Sequence, residues 1–195
     1  MHERETAMRL TDISKAYGGV KVFDGFSADI ENGAVTRLCG ESGRGKTTLL
    51  RIIAGLEDFG GSITERPKGK ISFVFQENRL FEELSALENC FLVLHGKPHF
   101  DIAAALRFTG LTDEDINRPV KELSGGMKRR TAVVRALCAD FGTLLLDEPF
   151  EGIDEENRLK TARLIRRHTE GKTVLLVTHS SGGELLSDNI REIFI

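Results

Sequence analysis

An α/β fold with a mixed, mainly parallel sheet, an antiparallel β layer and a short inserted helical subdomain is predicted by three features of the 195-residue sequence. The apolar run Val35–Cys39 leads into the glycine-rich stretch Gly40-Glu41-Ser42-Gly43-Arg44-Gly45-Lys46-Thr47-Thr48 and then into Leu49–Ala54, giving the order strand, loop, helix. Two continuous apolar runs, Thr143–Leu146 and Thr173–Thr178, alternate with helical patterns, as strands buried on both faces of a parallel sheet do. Between them and the loop, from Glu77 to Leu123, strand texture gives way to short capped helices.

Taken in order, Arg9–Ile13 and Val20–Phe23 read as short strands broken by Gly18-Gly19, which leaves Tyr17 in the intervening loop. Phe26–Ile30 alternates, Asn32-Gly33 has the composition of a hairpin turn, and Val35–Cys39 is the returning strand. The helix after the glycine-rich loop runs to Gly55, and Ser62–Thr64 and Ile71–Phe75 are further strands. Ser85-Ala86-Leu87-Glu88 is a capping box opening a helix through Leu94. Pro98 and Asp101 open another, through Thr109, and Thr112–Asp115 starts a third that Pro119 cuts off. A helix from Leu123-Ser124-Gly125-Gly126-Met127 reaches Ala139, a charged helix runs from Asp154 to Gly171, and a short helix (183–187) and strand Glu192–Ile195 close the chain. The whole reads as one domain, 1–195, with its core in 1–76 and 124–195 and residues 77–123 as the helical subdomain, too small to bury a core of its own.

Composition narrows the function classes. Twenty-seven basic against 30 acidic side chains give a net charge of −3, so no broad basic field recruits nucleic acid or anionic lipid. Met1–Glu5 is polar, unlike the start of a signal peptide, and no run approaches the ~20 apolar residues of a membrane span. Cys39, Cys90 and Cys138 lie far apart among apolar neighbours and read as three buried thiols. Lys128-Arg129-Arg130 and Arg163–Arg167 recur at helical spacing and read as solvated faces or interface. His2, His95, His99 and His168 lack metal spacing and carry no assigned role.

The glycine-rich stretch fits G-x-x-x-x-G-K-[ST], a phosphate loop. Glycines let successive N–H groups point inward at phosphate oxygens, and the next helix adds its free N–H groups and the positive end of its dipole. Lys46 can reach the terminal phosphates and the Thr47 hydroxyl can hold Mg²⁺, so the chain is expected to bind a nucleoside triphosphate. An apolar strand ending in Asp147-Glu148 delivers two carboxylates where ligands of open α/β sheets bind. One can hold Mg²⁺ through water while the next orients or deprotonates the attacking water. Gln76 and His179 end predicted strands at the same edge; Tyr17 reads either as a partly buried aromatic or as a platform for a flat base.

Gly40–Thr48, Gln76, Leu123–Gly126, Leu144–Glu148 and His179 stand in the order and approximate spacing of an ABC transporter ATPase subunit, and the chain resembles that family over essentially its whole length. Phe73–Leu80 and Asp147–Phe150 look most like bacterial importers of the nitrate, sulfonate and taurine group. The resemblance implies a P-loop NTPase fold and an ATPase using ATP and Mg²⁺. Tyr17 would stack on adenine, Gly40–Thr48 would hold the β- and γ-phosphates, and Thr47, Gln76 and Asp147 would serve Mg²⁺. Glu148 would be the catalytic base, with Gln76 and His179 at the attacking water and γ-phosphate. Ser124, Gly125 and Gly126 would reach the ATP of a second copy, making a homodimer through an ATP sandwich. Implied partners are transmembrane permease subunits with a substrate-binding protein, at the cytoplasmic face of the cell membrane, and no nucleic acid. A soluble non-transport ABC ATPase and a phosphate-loop kinase are the alternatives. Departures from the family pattern are Met127 for glutamine, Glu41 for proline, Glu151-Gly152-Ile153-Asp154 after the catalytic glutamate, Ser180 for aspartate, and a short helical insert.

Overall fold

The computed structural model describes residues 7–178 and 183–195. A three-stranded antiparallel sheet is formed by β1 (Ala7–Tyr17), β2 (Val20–Glu31) and β4 (Gly60–Thr64), in the order β2-β1-β4. A five-stranded sheet contains β3 (Val35–Cys39), β5 (Ile71–Val74), β6 (Thr143–Asp147), β7 (Thr173–Val177) and β8 (Ile190–Phe194), in the order β5-β6-β7-β3-β8. Every pairing in this second sheet is parallel, so the antiparallel strands form a separate layer.

Two sequence expectations change here. The first strands are longer than their apolar patterning suggests, and they make one hairpin with Gly18 (φ 53) and Gly19 (φ 84) as its two-residue turn. Tyr17 is therefore the last residue of β1, paired with Val20, rather than a loop residue. Asn32-Gly33 does not return β2 as a hairpin, because β3 pairs with β7 and β8 in the other sheet. The Gly33 N–H donates to Thr173 Oγ1 at 2.9 Å, fixing the point where the chain changes sheets.

The parallel strands separate two cores by their two-residue period. Leu144 and Leu146 of β6, with Val174 and Leu176 of β7, face one core. Leu145 and Leu175 face the other, with Leu38 of β3, Met8, Leu10 and Ile30 of the antiparallel sheet, and Leu49, Leu50, Ile52 and Ile53 of α1 (Lys46–Ile53). All of these are nearly or wholly buried, each worth about 1.5–3 kcal/mol in removed apolar surface. The helix that follows the glycine-rich loop is thus clamped between two sheets.

On the other face lie α2 (Ala86–Phe91), α3 (Ile102–Phe108), α4 (Asp113–Asn117), α5 (Gly125–Cys138) and α6 (Glu155–His168). Each begins at a side-chain cap: Ser85, Asp101, Thr112, Ser124 and Asp154 accept from backbone N–H groups of their first turns. Ser85–Glu88 and Thr112–Asp115 are complete capping boxes. α2 stops three residues before the expected Leu94: Phe91 and Leu92 are exposed, while Val93 and Leu94 still pack against the core from outside the helix. Cys90 and Cys138 are buried thiols as expected, but Cys39, at the end of β3, is half-buried.

Candidate active site

Gly40–Thr48 joins β3 to α1 at the carboxyl edge of the parallel sheet. Two of its glycines are required by geometry. A Cβ on Gly40 would lie 2.7 Å from the Ile195 carbonyl oxygen. One on Gly45 (φ 96) would lie 2.5 Å from Val22 Cγ1 and 2.9 Å from Phe23 Cζ. α1 starts at once after Gly45 with no side-chain cap, leaving its first N–H groups free to meet an anion. Lys46 is 7% exposed and curls back, its Nζ donating to the carbonyls of Gly40 and Glu41, both at 2.8 Å.

Asp147 ends β6 and is 2% exposed. Burial pushes its carboxyl pKa above the ordinary aspartate value, against a hydrogen bond from the Thr47 hydroxyl and the nearby Arg51 and Arg129. Thr47 thereby brings the phosphate loop to the end of β6, which is separated from β3 in the sheet by β7. Glu148 has a left-handed backbone (φ 49), and its N–H donates to the Val177 carbonyl at 2.9 Å, which fixes its departure from the sheet.

A cleft of about 800 Å³ is lined by Tyr17, Ser42, Gly43, Gly45, Lys46, Thr47, Thr48, Gln76, Asp147 and Glu148. Val22, Phe150, Glu151, Gly152 and Val177 complete its walls; none of these was singled out as a cleft residue in the sequence, since apolar and loop residues there carry no signal of their own. Gly40, Glu41 and Arg44 lie outside the lining: Gly40 packs on Ile195, and Glu41 faces Arg44 across 3.8 Å on the surface. Tyr17 is 43% exposed, with Lys15 Nζ 4.9 Å from its ring centroid and paired in turn with the Glu57 carboxylate at 3.0 Å.

Ser124, Gly125 and Gly126 are not in that cleft. They line an adjoining cavity of about 730 Å³ with Asn78, Met127, Arg129, Arg130 and Asp154, and the two share Gln76, Glu151 and Gly152. Ser124 caps α5, its Oγ accepting from the Met127 N–H at 3.3 Å. A Cβ on Gly126 would stand 2.6 Å from the Gly152 carbonyl, whereas one on Gly125 would meet nothing. His179 lies outside the described residues.

The basic run of α5 is where the sequence reading fails. Arg129 and Arg130 are 4% and 5% exposed, not solvated. Arg129 donates to the carbonyls of Phe75 and Gln76, and Arg130 lies 3.6 Å from the Asp154 carboxylate. Backbone carbonyls recruited from a distant segment leave no trace in the local pattern of charges.

Magnesium fits this arrangement. Mg²⁺ keeps several waters and takes one or two protein ligands beside substrate phosphates. Among the described residues there is no cluster of three or more His, Cys, Asp or Glu able to hold a metal, while Thr47, Gln76 and Asp147 face one cleft.

The ABC transporter family model matches residues 23–151. The aliphatic sulfonates import ATP-binding protein SsuB of Delftia acidovorans is 41% identical over 184 residues, spanning 92% of this chain and 76% of that protein. The lipoprotein-releasing system ATP-binding protein LolD of Bacteroides thetaiotaomicron is 34% identical over 205 residues, spanning 93% and 94%. Among solved structures, the dimeric structure of MJ0796, a bacterial ABC transporter cassette, superposes with a TM-score of 0.81 at 26% identity, covering 96% of this chain and 94% of that one.

Proposed function

This chain belongs to the ABC transporter family, and on that premise we propose that it is the ATP-hydrolysing subunit that powers solute passage across a membrane, docked on separate permease subunits. The observation that carries the mechanism is the split of the site. The phosphate loop and both carboxylates share one cleft, while Ser124–Gly126 opens into the next, with Gly125 unobstructed. Such an incomplete cage is filled by a second copy, whose Ser124 turn and α5 N-terminus close over the triphosphate.

In the closed pair, Lys46 exchanges the Gly40 and Glu41 carbonyls for phosphate oxygens, and Tyr17 stacks on the base. Thr47, Asp147 and Gln76 would hold Mg²⁺, which supplies positive charge against the charge spread over the transferring phosphoryl group. Glu148 takes the proton of the attacking water as its oxygen bonds to the γ-phosphorus and the bond to ADP breaks, giving ADP and phosphate. His179, outside the described residues, is assigned to the γ-phosphate by its place in the family pattern alone. Hydrolysis cuts the γ-phosphate free of ADP, its departure removes the charge that bridges the two copies, and the helical segment 77–123 passes the opening to the permease.

The sulfonate-import relatives favour an importer working with a substrate-binding protein at the cytoplasmic face of the membrane. No helix among the described residues is long and apolar enough to cross a membrane. A net charge of −3 supports a function without nucleic acid.

Glu148→Gln tests the mechanism. Hydrolysis should fall by at least about a hundredfold, and an ATP-bound dimer should accumulate on gel filtration. A monomer with normal turnover rejects the base assignment. Co-purification with a candidate permease tests the transport role, and phosphate passed to a small-molecule acceptor instead of water would favour a kinase.

A further inference from the structure

Two arginines of α5 grip a single short segment of backbone. Arg129 donates through Nη1 to the Phe75 carbonyl at 2.6 Å and through Nη2 to the Gln76 carbonyl at 2.5 Å. One and two-thirds turns further on, Arg135 donates to the carbonyls of Arg79 at 2.6 Å and Asn78 at 3.1 Å. The segment is also folded on itself, with the Arg79 guanidinium 3.8 Å over the Phe75 ring and that ring stacked on Phe73 at 4.0 Å.

Arg129 sits where the two cavities meet. It lines the second, and Gln76, whose carbonyl it holds, lines both. Its charge faces Glu151 at 3.8 Å and lies in the field of Asp147, Glu148 and Glu77. The same helix begins at Ser124, five residues before Arg129. A helix moves as a unit over that distance, about 7.5 Å, so a shift at its N-terminus is delivered to the guanidinium. A planar fork on two successive carbonyls passes translation and rotation alike to the backbone it holds.

We propose that Arg129 is a positioning residue that couples the Ser124 turn to Gln76 of the same chain, so that closure of the turn on ATP held by a second copy sets this copy's Gln76 for hydrolysis. The inference rests on the split site described above. It makes the two ATP sites of a pair interdependent through the protein: each copy's Ser124 senses the neighbour's nucleotide, and Arg129 reports it to the copy's own cleft. Nothing covalent changes; only the placement of one side chain is biased.

The test compares Arg129→Lys with Arg135→Lys. Each keeps its positive charge and loses a two-pronged grip on the 75–79 segment, but only the first grip includes Gln76. Parent turnover should rise cooperatively with ATP, with a Hill coefficient approaching two. Arg129→Lys should bind ATP within about twofold of the parent by calorimetry. Its turnover should fall about tenfold and its Hill coefficient to about one, within the range of measured coupling energies. Arg135→Lys should keep the parent's cooperativity. An Arg129→Lys variant with parental turnover and cooperativity overturns the proposal, as does an equal loss in both variants or a loss of ATP affinity.

Should Arg129→Lys fail to fold, hydrogen exchange on the Glu148→Gln protein answers the same question. ATP-driven dimerisation should change exchange at the amides of 75–79, and no change there overturns the coupling. A parent that hydrolyses no ATP or never pairs sinks the split site itself and the coupling with it. A normal parent beside an indifferent Arg129→Lys sinks the coupling alone.

Discussion

The Lys46 ammonium is hydrogen-bonded to the Gly40 carbonyl, 2.8 Å away and six residues back in the same loop. With Glu41 as a second acceptor, the buried amine holds the loop in a curved form that a phosphate can enter by replacing two carbonyls. Charged hydrogen bonds of this kind are worth roughly 1.5–3 kcal/mol each. Lys46→Ala should therefore weaken ATP binding at least about a hundredfold by calorimetry. Binding within tenfold of the parent would remove Lys46 from the phosphate site.

Tyr17 is the single tyrosine and the chain has no tryptophan, so intrinsic fluorescence reports on this ring alone. Its position at the cleft, beside Lys15 and Glu57, predicts a saturable change in that fluorescence on adding ATP. Tyr17→Ala should raise KM for ATP about five- to a hundredfold with little effect on kcat, since stacking is worth roughly 1–3 kcal/mol per base. Tyr17→Phe should stay near the parent. An unchanged KM in Tyr17→Ala would mean the ring is only packing.

Gly125 and Gly126 should separate on substitution. Gly126→Ala drives a methyl against the Gly152 carbonyl, an overpacking costing about 1–3 kcal/mol, or several degrees of Tm in a chain of this size. Gly125→Ala meets no atom of its own chain and should melt no lower than the parent. Its hydrolysis should nevertheless fall, because in the composite site proposed above the space it fills is where the second copy's phosphates would approach. Normal turnover in a stable Gly125→Ala protein would argue against the composite site.

The Asp147 carboxyl is buried and its pKa stands above the ordinary value, so its charge costs folding stability at every pH above that raised pKa. Asp147→Asn keeps the shape and removes the charge. It should raise Tm near neutral pH by a few degrees, where ~1 kcal/mol is worth about 2–4 °C, while abolishing Mg²⁺-dependent hydrolysis. The gain should vanish in acid, where Asp147 is protonated folded or unfolded. A variant less stable than the parent at pH 7 would contradict this sign.

The two capping boxes titrate the opposite way. The Ser85 amide and hydroxyl hold the Glu88 carboxyl below its usual pKa. At Asp115 burial acts upward, but the Thr112 amide and hydroxyl with Arg118 outweigh it and the pKa falls. Both groups add stability above the ordinary carboxylate range, and lose it as pH falls through that range and below. Amide exchange in α2 and α4 should accelerate over that window, and Glu88→Gln with Asp115→Asn should flatten the response. Exchange that is level with pH in the parent would refute it.

Local chemistry wrote much of this protein into its sequence. The phosphate loop, the caps at Ser85, Asp101, Thr112 and Asp154, and the apolar runs of β6 and β7 depend on neighbours a few residues apart, so their patterns show in the string. Tertiary structure alone decided which sheet β3 joins, since a strand edge pairs with whatever backbone packing brings beside it. It also decided that Arg129 and Arg130 lie inside, because their partners are acceptors 53 and 24 residues away in sequence, and that Ser124 faces a different cavity from Lys46. Spacing along a chain records short-range bonds; the direction in which a helix points is fixed only when its buried face finds the rest of the core.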